Sequence, residues 1–230
     1  MEFLFDHTYG FGKMTRQNFA YVPFAALLEP TEYKDYLEKG WFPANTDIWF
    51  QTRSTRIDLS LYQPTKRILK LSKKVKYFPD INLTPEKKER LKVIYEKYIE
   101  HRNFKYDLSI DDIISNSHGH IYYAYENKII AFSFYRQIKN SLLGIEFAWD
   151  YKEPKLSLGH VNVYYAAMFA KMKKCKYFYL SSGYESCSIY KSDYPGFQWW
   201  TGYKWSEDKQ LYKDLCLRDD RIKIETDELT

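Results

Sequence analysis

Between Leu156 and Tyr194 the chain reads LSLGHVNVYYAAMFAKMKKCKYFYLSSGYESCSIYKSDY, and this stretch constrains the fold more than any other. A turn over Lys152–Ser157 leads into an apolar run in which Val163, Ala166, Ala167 and Ala170 recur at helical spacing. Small residues on that face suit a helix over about 159–173 that lies close on a sheet. Tyr177–Leu180 then reads as a short buried strand, and a polar, aromatic-rich segment follows. A helix laid on a sheet that feeds a further strand sets an α+β layout.

The elements upstream agree with it. Pro30 and Thr31, followed by Tyr33, Tyr36 and Leu37, predict a short helix stopped by Gly40. Trp49 to Leu61 reads as extended, with Ile57, Leu59 and Leu61 alternating against Asp58 and Ser60, and Pro64 ends it. Thr84 with Pro85 starts a helix that reaches about Arg102 and carries Leu91, Ile94, Tyr95 and Tyr98 on one face. Ser109 and Asp112 match a capping box for a shorter helix through Ile114. Ile121–Tyr125 and Ile129–Tyr135 flank a turn at Glu126-Asn127-Lys128, and Leu142–Trp149 is a third strand. Two regions are expected, 1–76 for recognition and 77–230 for the main domain with its aromatic C-terminal segment.

Composition narrows the classes. The chain has 230 residues, enough for one large domain or two small ones with a real core. Aromatics make up 19%, including 23 Tyr against only 9 Gly, which suits half-buried walls and stacking surfaces rather than disorder. The formal charge is +5, so a nucleic-acid partner must be argued from local clustering. Cys175, Cys187 and Cys216 are odd in number and widely spaced, against both a disulfide scaffold and a four-ligand zinc site. No stretch has the length and apolarity of a signal peptide or a membrane span, so a cytoplasmic location is expected.

Several groups could carry chemistry. The run KRILKLSKKVK, residues 66–76, holds six basic residues and no acid. It is either a solvated surface strand or loop, or a patch in which Ile68, Leu69 and Leu71 anchor one face while the lysines meet phosphates. Lys171, Lys173, Lys174 and Lys176 end the 159–173 helix, where cations also complement its dipole. His118 and His120 flank Gly119, but no carboxylate or cysteine stands at ligand spacing, so no metal is expected. Trp199, Trp200, Tyr203 and Trp205 read as core or lid, since few cations accompany them.

The order of two helices, an antiparallel meander, a helix and a strand resembles the GNAT acyltransferase superfold, a central mixed sheet flanked by helices. In that fold Gly159 lies in the turn that binds the acyl carrier, and Glu146 and Asp150 lie near the reacting amine. Members that use CoA carry a glycine-rich loop reading Q/R-x-x-G-x-G/A. Here KEPKLSLGHV has one glycine and no second at the required spacing.

Dispersed motifs over about residues 30–205 resemble the arginyl-tRNA–protein transferase family more specifically. They are EYKDYLEKGW, TRIDLSLYQPTKRILKL, WDYKEPKLSLGHVNVYYAAMFA and YFYLSSGYESCSIYKSDYP. Thr65-Lys66 and Ser186-Cys187 resemble the arginyl branch rather than the bacterial leucyl branch.

The resemblance implies transfer of an amino acid, arginine in that branch, from charged tRNA to the amine of a protein or peptide. It needs no cofactor beyond the aminoacyl-tRNA co-substrate. Asp150 would act as base or amine-orienting carboxylate, with Tyr184 in the catalytic site. Tyr184, Tyr190 and Lys191 would line the aminoacyl-adenosine site, and Ser157 and Gly159 the carrier turn. Arg56, Lys66, Arg67 and Lys70 would contact the acceptor carboxylate or tRNA phosphate. Two departures stand out. The family's N-terminal cysteines have no counterpart in Phe50-Gln51-Thr52-Arg53-Ser54, and Asp193 stands where bacterial members usually carry Arg. A CoA-dependent N-acyltransferase and a non-catalytic module binding tRNA or acidic N-termini are the alternatives.

Overall fold

The computed structural model describes residues 2–8, 16–21, 30–43, 48–80, 82–102, 109–150 and 154–227. The elements in chain order begin with β1 (Glu2–Thr8), β2 (Arg16–Tyr21), α1 (Pro30–Glu38), β3 (Trp41–Pro43), β4 (Ile48–Gln51) and β5 (Ser54–Asp58). They continue with α2 (Lys66–Ser72), β6 (Lys76–Asp80), α3 (Pro85–Arg102), α4 (Ile110–Ser115), β7 (Gly119–Tyr125), β8 (Lys128–Ile138) and β9 (Ser141–Trp149). The last are α5 (Leu158–Met172), β10 (Tyr177–Ser182), β11 (Phe197–Trp200), β12 (Trp205–Ser206) and α6 (Lys209–Asp227). The class is α+β, and the run α3, α4, β7, β8, β9, α5, β10 is the order of two helices, a meander, a helix and a strand expected from the sequence.

The chain forms two compact units that are discontinuous in sequence. One holds Met1–Gln63, Ile138–Ser141 and Lys176–Thr230, and the other Pro64–Gln137 and Leu142–Cys175. A single cut after residue 76 does not describe them. The aromatic C-terminal segment belongs with the N-terminal third, because β5 pairs with both β10 and β11.

In the first unit the strands run β1-β2-β4-β3 in one sheet and β12-β11-β5-β10 in another. Gly40 ends α1 at φ 74°, and a Cβ there would lie 2.4 Å from the Trp200 ring, so only glycine fits. The aromatic tail is core as far as Trp199 and Trp200, which are buried, whereas Tyr203 is 92% exposed. Helix α6 seals β11 by setting Tyr212 and Cys216 against Phe197 and Trp199.

In the second unit the order is β9-β8-β7-β6. Glu126 and Asn127 turn β7 into β8 with φ of 48° and 60°, the left-handed pair a tight hairpin requires. Helix α3 buries Leu91, Ile94, Tyr95 and Tyr98 against Tyr122, Phe132, Phe134 and Ala148. Burial contributes about 1.5–3 kcal/mol for each leucine, isoleucine or phenylalanine among them. Ser109 and Asp112 form the full capping box that starts α4.

The basic run is not a strand or loop over its first part. Thr65 accepts the Ile68 N–H and caps α2, which buries Ile68 and Ser72 and leaves Lys66, Arg67 and Lys70 in solvent. Tyr165 on α5 fixes the chain as it leaves α2, its single O–H shared between the carbonyls of Ser72 and Val75 at 2.7 and 2.9 Å.

Candidate functional site

The second unit gathers the groups best suited to chemistry. Strand β9 carries Glu146, whose carboxylate accepts the N–H of Phe147 at 3.0 Å and meets no cation among the described residues. Desolvation pushes its carboxyl from the usual 4.5 up to about 7. A carboxylate without a countercharge, titrating near neutral pH, is the natural profile of a general base.

Asp150 extends the strand by donating its N–H to the Ile130 carbonyl at 2.7 Å. Its carboxylate is buried, with the Arg90 guanidinium of α3 4.0 Å away. Arg90 also donates to the Ile129 carbonyl at 2.8 Å, so Asp150 belongs to a fixed knot between α3 and the β8 strand. Of the two carboxylates weighed from the sequence, Glu146 therefore has the proton-accepting environment. Asp150, expected from the sequence as base or amine-orienting carboxylate, has a cation 4.0 Å away.

The turn into α5 departs from expectation. Tyr151, Lys152 and Glu153 lie outside the described residues, and Pro154–Leu156 form a 3₁₀ turn. Ser157 adopts the left-handed conformation, φ 50° and ψ 50°, as N-cap of α5. Gly159 does not, so the turn's geometry does not demand it. A Cβ added at Gly159 meets nothing within 4 Å. Among the described residues nothing lies close over Gly159, and no acceptor meets the amides of Leu158 and Gly159. Such a helix start is suited to an anion. Arg67 of α2 donates to the Ser157 hydroxyl at 3.3 Å, which ties the basic helix to this same turn.

Tyr77 of β6 stacks on Tyr165 at 4.2 Å, and Tyr165 lies 6.1 Å from Tyr123, which in turn lies 6.1 Å edge-on from Phe147. Tyr123 is fixed by donating to the Asn162 side chain of α5 at 2.6 Å. None of these rings stood out in the sequence, because only the packing of α5 on strands β6, β7 and β9 brings them together. Among the described residues no three of His, Cys, Asp and Glu form a metal cluster. His120 is packed between the Tyr122 and Phe134 rings.

Lys66 and Lys70 are exposed on α2 in the second unit; the other expected site residues are in the first unit, and the structure turns most of them inward. Arg56 is buried between the faces of Tyr177 and Trp205, 3.8 and 3.9 Å from the ring centres. It donates to Gln198 at 2.9 Å and to the Tyr179 hydroxyl at 3.1 Å, so it is a core cation rather than a group offered to a carboxylate or phosphate. Lys191 is buried as well, its Nζ donating to the carbonyls of Leu180 at 2.8 Å and Ser182 at 2.5 Å. Burial brings it down to about 8. It closes the end of β10 instead of facing a substrate. The Tyr184 hydroxyl accepts the Arg53 N–H at 3.0 Å. Tyr190 alone of the three is open, at 38% exposed.

Arg53, named from the sequence only as part of a segment without the family's cysteines, proves to be a central residue of this unit. It is 1% exposed and pairs with fully buried Asp219 of α6 at 2.6 Å. Asp219 and Asp220 also accept the N–H groups of Glu185 and Ser186, at 3.4 and 3.0 Å. The C-terminal helix thus holds the loop after β10.

No protein-family model and no curated protein sequence matches the chain. Solved structures that it resembles include L-PGS from Bacillus licheniformis, at 10% identity and TM-score 0.48, over 81% of this chain and 70% of that one. The C-terminal domain of a provisionally assigned lysylphosphatidylglycerol synthetase from Agrobacterium fabrum matches 57% of this chain at 14% identity and TM-score 0.46. This chain spans only 46% of that domain. A GCN5-related N-acetyltransferase from Kribbella flavida matches at 11% identity and TM-score 0.40, over 57% of this chain and 48% of that one. No helix among the described residues is long and apolar enough to cross a membrane.

Proposed function

We propose that the protein is an aminoacyl-tRNA-dependent transferase. It would move an amino acid, arginine by the sequence resemblance, from its ester on tRNA to the amine of a protein or peptide. The observation that carries this reading is the placement of Glu146, a half-buried carboxyl on β9 that accepts the Phe147 N–H, meets no cation among the described residues and is pushed up to about 7 by burial. An amine arrives as an ammonium and must lose its proton before it can attack. Glu146 takes that proton, the amine nitrogen bonds to the ester carbonyl carbon, and the ribose oxygen leaves with a proton as the amide forms. General-base help of this kind supplies about 10²–10⁴-fold, and the rest comes from positioning an already activated ester.

Support for tRNA over CoA as the carrier comes from the carrier turn and its neighbour. The turn has a single glycine, while α2 beside it exposes Lys66, Arg67 and Lys70. The open amides at the start of α5 favour a second reading, a CoA-dependent N-acyltransferase that binds pyrophosphate with fewer glycines. Labelled Arg-tRNA incubated with peptides beginning Asp or Glu tests the first reading, and other charged tRNAs test the amino acid. Transfer to the peptide supports it. Acetyl transfer from acetyl-CoA with none from any charged tRNA overturns it. RNA binding without turnover would leave only a binding module.

A further inference from the structure

The exposed strip made by α2 and the start of β6 has features that aminoacyl transfer itself does not need. From Lys66 to Pro79 the chain has six lysines and arginines and no acid, and all six are exposed along one ridge: Lys66, Arg67, Lys70, Lys73, Lys74 and Lys76. At the end of the ridge Tyr77 is 38% exposed and lies nearly parallel to Tyr165, 4.2 Å between centres and 26° between planes. Tyr165 is anchored beneath Tyr77, because its hydroxyl is shared between the carbonyls of Ser72 and Val75, at and just past the C-terminal end of α2. At the opposite end Arg67 reaches Ser157 and the open start of α5. Seven residues of helix span about 10 Å, so the ridge is a short track rather than a broad face.

Edge strand β6 could in principle accept a peptide strand, but Pro79 removes an edge N–H and Lys76 adds charge, both of which oppose strand addition. A row of cations ending in a stacked tyrosine pair instead matches single-stranded nucleic acid, with phosphates along the lysines and a base on the ring.

We propose that this strip seats the single-stranded end of the RNA carrier, its backbone along Lys66–Lys74 and a base stacked on Tyr77. The proposal rests on the transferase reading for the identity of the RNA, but binding is measured without turnover. An uncharged, fluorescently labelled single-stranded RNA of about eight nucleotides is titrated with the full chain by anisotropy at three salt concentrations. Tyr77→Ala should weaken binding about tenfold and Tyr77→Phe less than twofold, as stacking predicts. Lys70→Glu with Lys73→Glu should lower the slope of log affinity against log salt by about 1.4, or 0.7 for each phosphate that is no longer neutralised. These two lysines are exposed, so that pair remains a valid test if Tyr77→Ala fails to fold.

The proposal is overturned if both sets bind as the parent does, if duplex RNA binds as well as single strands, or if anionic vesicles bind and RNA does not. Intact RNA binding with no aminoacyl transfer would sink the transferase reading and leave this one standing. Transfer with an unchanged KM for charged tRNA in Tyr77→Ala would do the reverse.

Discussion

The charged side chains weighed as site residues behave in opposite ways in the two units, although Arg136 of the second is also buried and donates to the Asn116 carbonyl at 2.9 Å. In the first, Arg53, Arg56 and Lys191 are buried, and each is stitched to carbonyls, rings or a carboxylate. In the second, the cations of α2 are exposed, and the half-buried charge is instead an acid, Glu146, with no cation near it among the described residues. A buried cation with its donors satisfied holds a fold together. A cation in solvent is available to a ligand, and a desolvated acid without a countercharge is available to a proton. Residue type alone would have assigned all three cations of the first unit to substrate binding or left them unremarked; burial reverses that.

The sharpest way to break this contrast is to remove one half of the buried pair. Asp219→Ala leaves the Arg53 guanidinium buried without its carboxylate and frees the Glu185 N–H. Removing one partner of such a pair costs about 3–5 kcal/mol, and urea denaturation should show a loss of that size. A loss under about 1 kcal/mol would mean that the pair is solvated and that the first unit's cations are not structural.

Arg56→Lys comes next. A lysine cannot fill the slot between Tyr177 and Trp205 as a flat guanidinium does, nor reach Gln198 and Tyr179 together. A loss of about 1–3 kcal/mol is expected from the hydrogen bonds to a charged group alone. If stability holds while peptide transfer falls, Arg56 touches a ligand after all.

These effects show where the sequence was legible. Local devices could be read directly: the Ser109–Asp112 capping box, the Gly40 helix stop and the Glu126-Asn127 turn each need only neighbours in the chain. The element order of the second unit followed from periodicity for the same reason. The Arg53–Asp219 pair could not be read, because its members are 166 positions apart and nothing near either announces the other. Helix α2 was hidden by its own lysines, which break the apolar pattern although Thr65 caps it. The candidate base was half legible. Glu146 and Asp150 were visible as a pair on the same strand, but which of them is desolvated and which meets Arg90 depends on packing across the sheet.

Glu146→Gln tests the other side of the contrast with a smaller stability effect of opposite sign. In the folded protein this carboxyl stays protonated until about pH 7, while in the unfolded chain it ionises near the ordinary 4.5. Its contribution to stability is therefore present below 4.5 and is lost as pH rises through 7. The glutamine variant should be the more stable protein at pH 8 and close to the parent at pH 4.5. Its transfer rate should fall about 10²–10⁴-fold, and the rise in rate through neutral pH should disappear. A parent profile that is flat between pH 6 and 8 would remove Glu146 from the mechanism.

The smallest stability change belongs to the exposed ridge, and that smallness is what makes it diagnostic. Lys70 lies in the last turn of α2, where a cation complements the helix dipole, so Lys70→Glu should cost only about 0.3–1 kcal/mol, and less in high salt. Aminoacyl transfer at low salt should drop far more than so small a change in folding explains, because fewer phosphates are held. A KM for charged tRNA that rises while kcat stays level would place Lys70 in binding rather than in the fold. If transfer and stability fall together by the same modest factor, the ridge is an ordinary solvated surface, and the two units do not differ in how they use their cations.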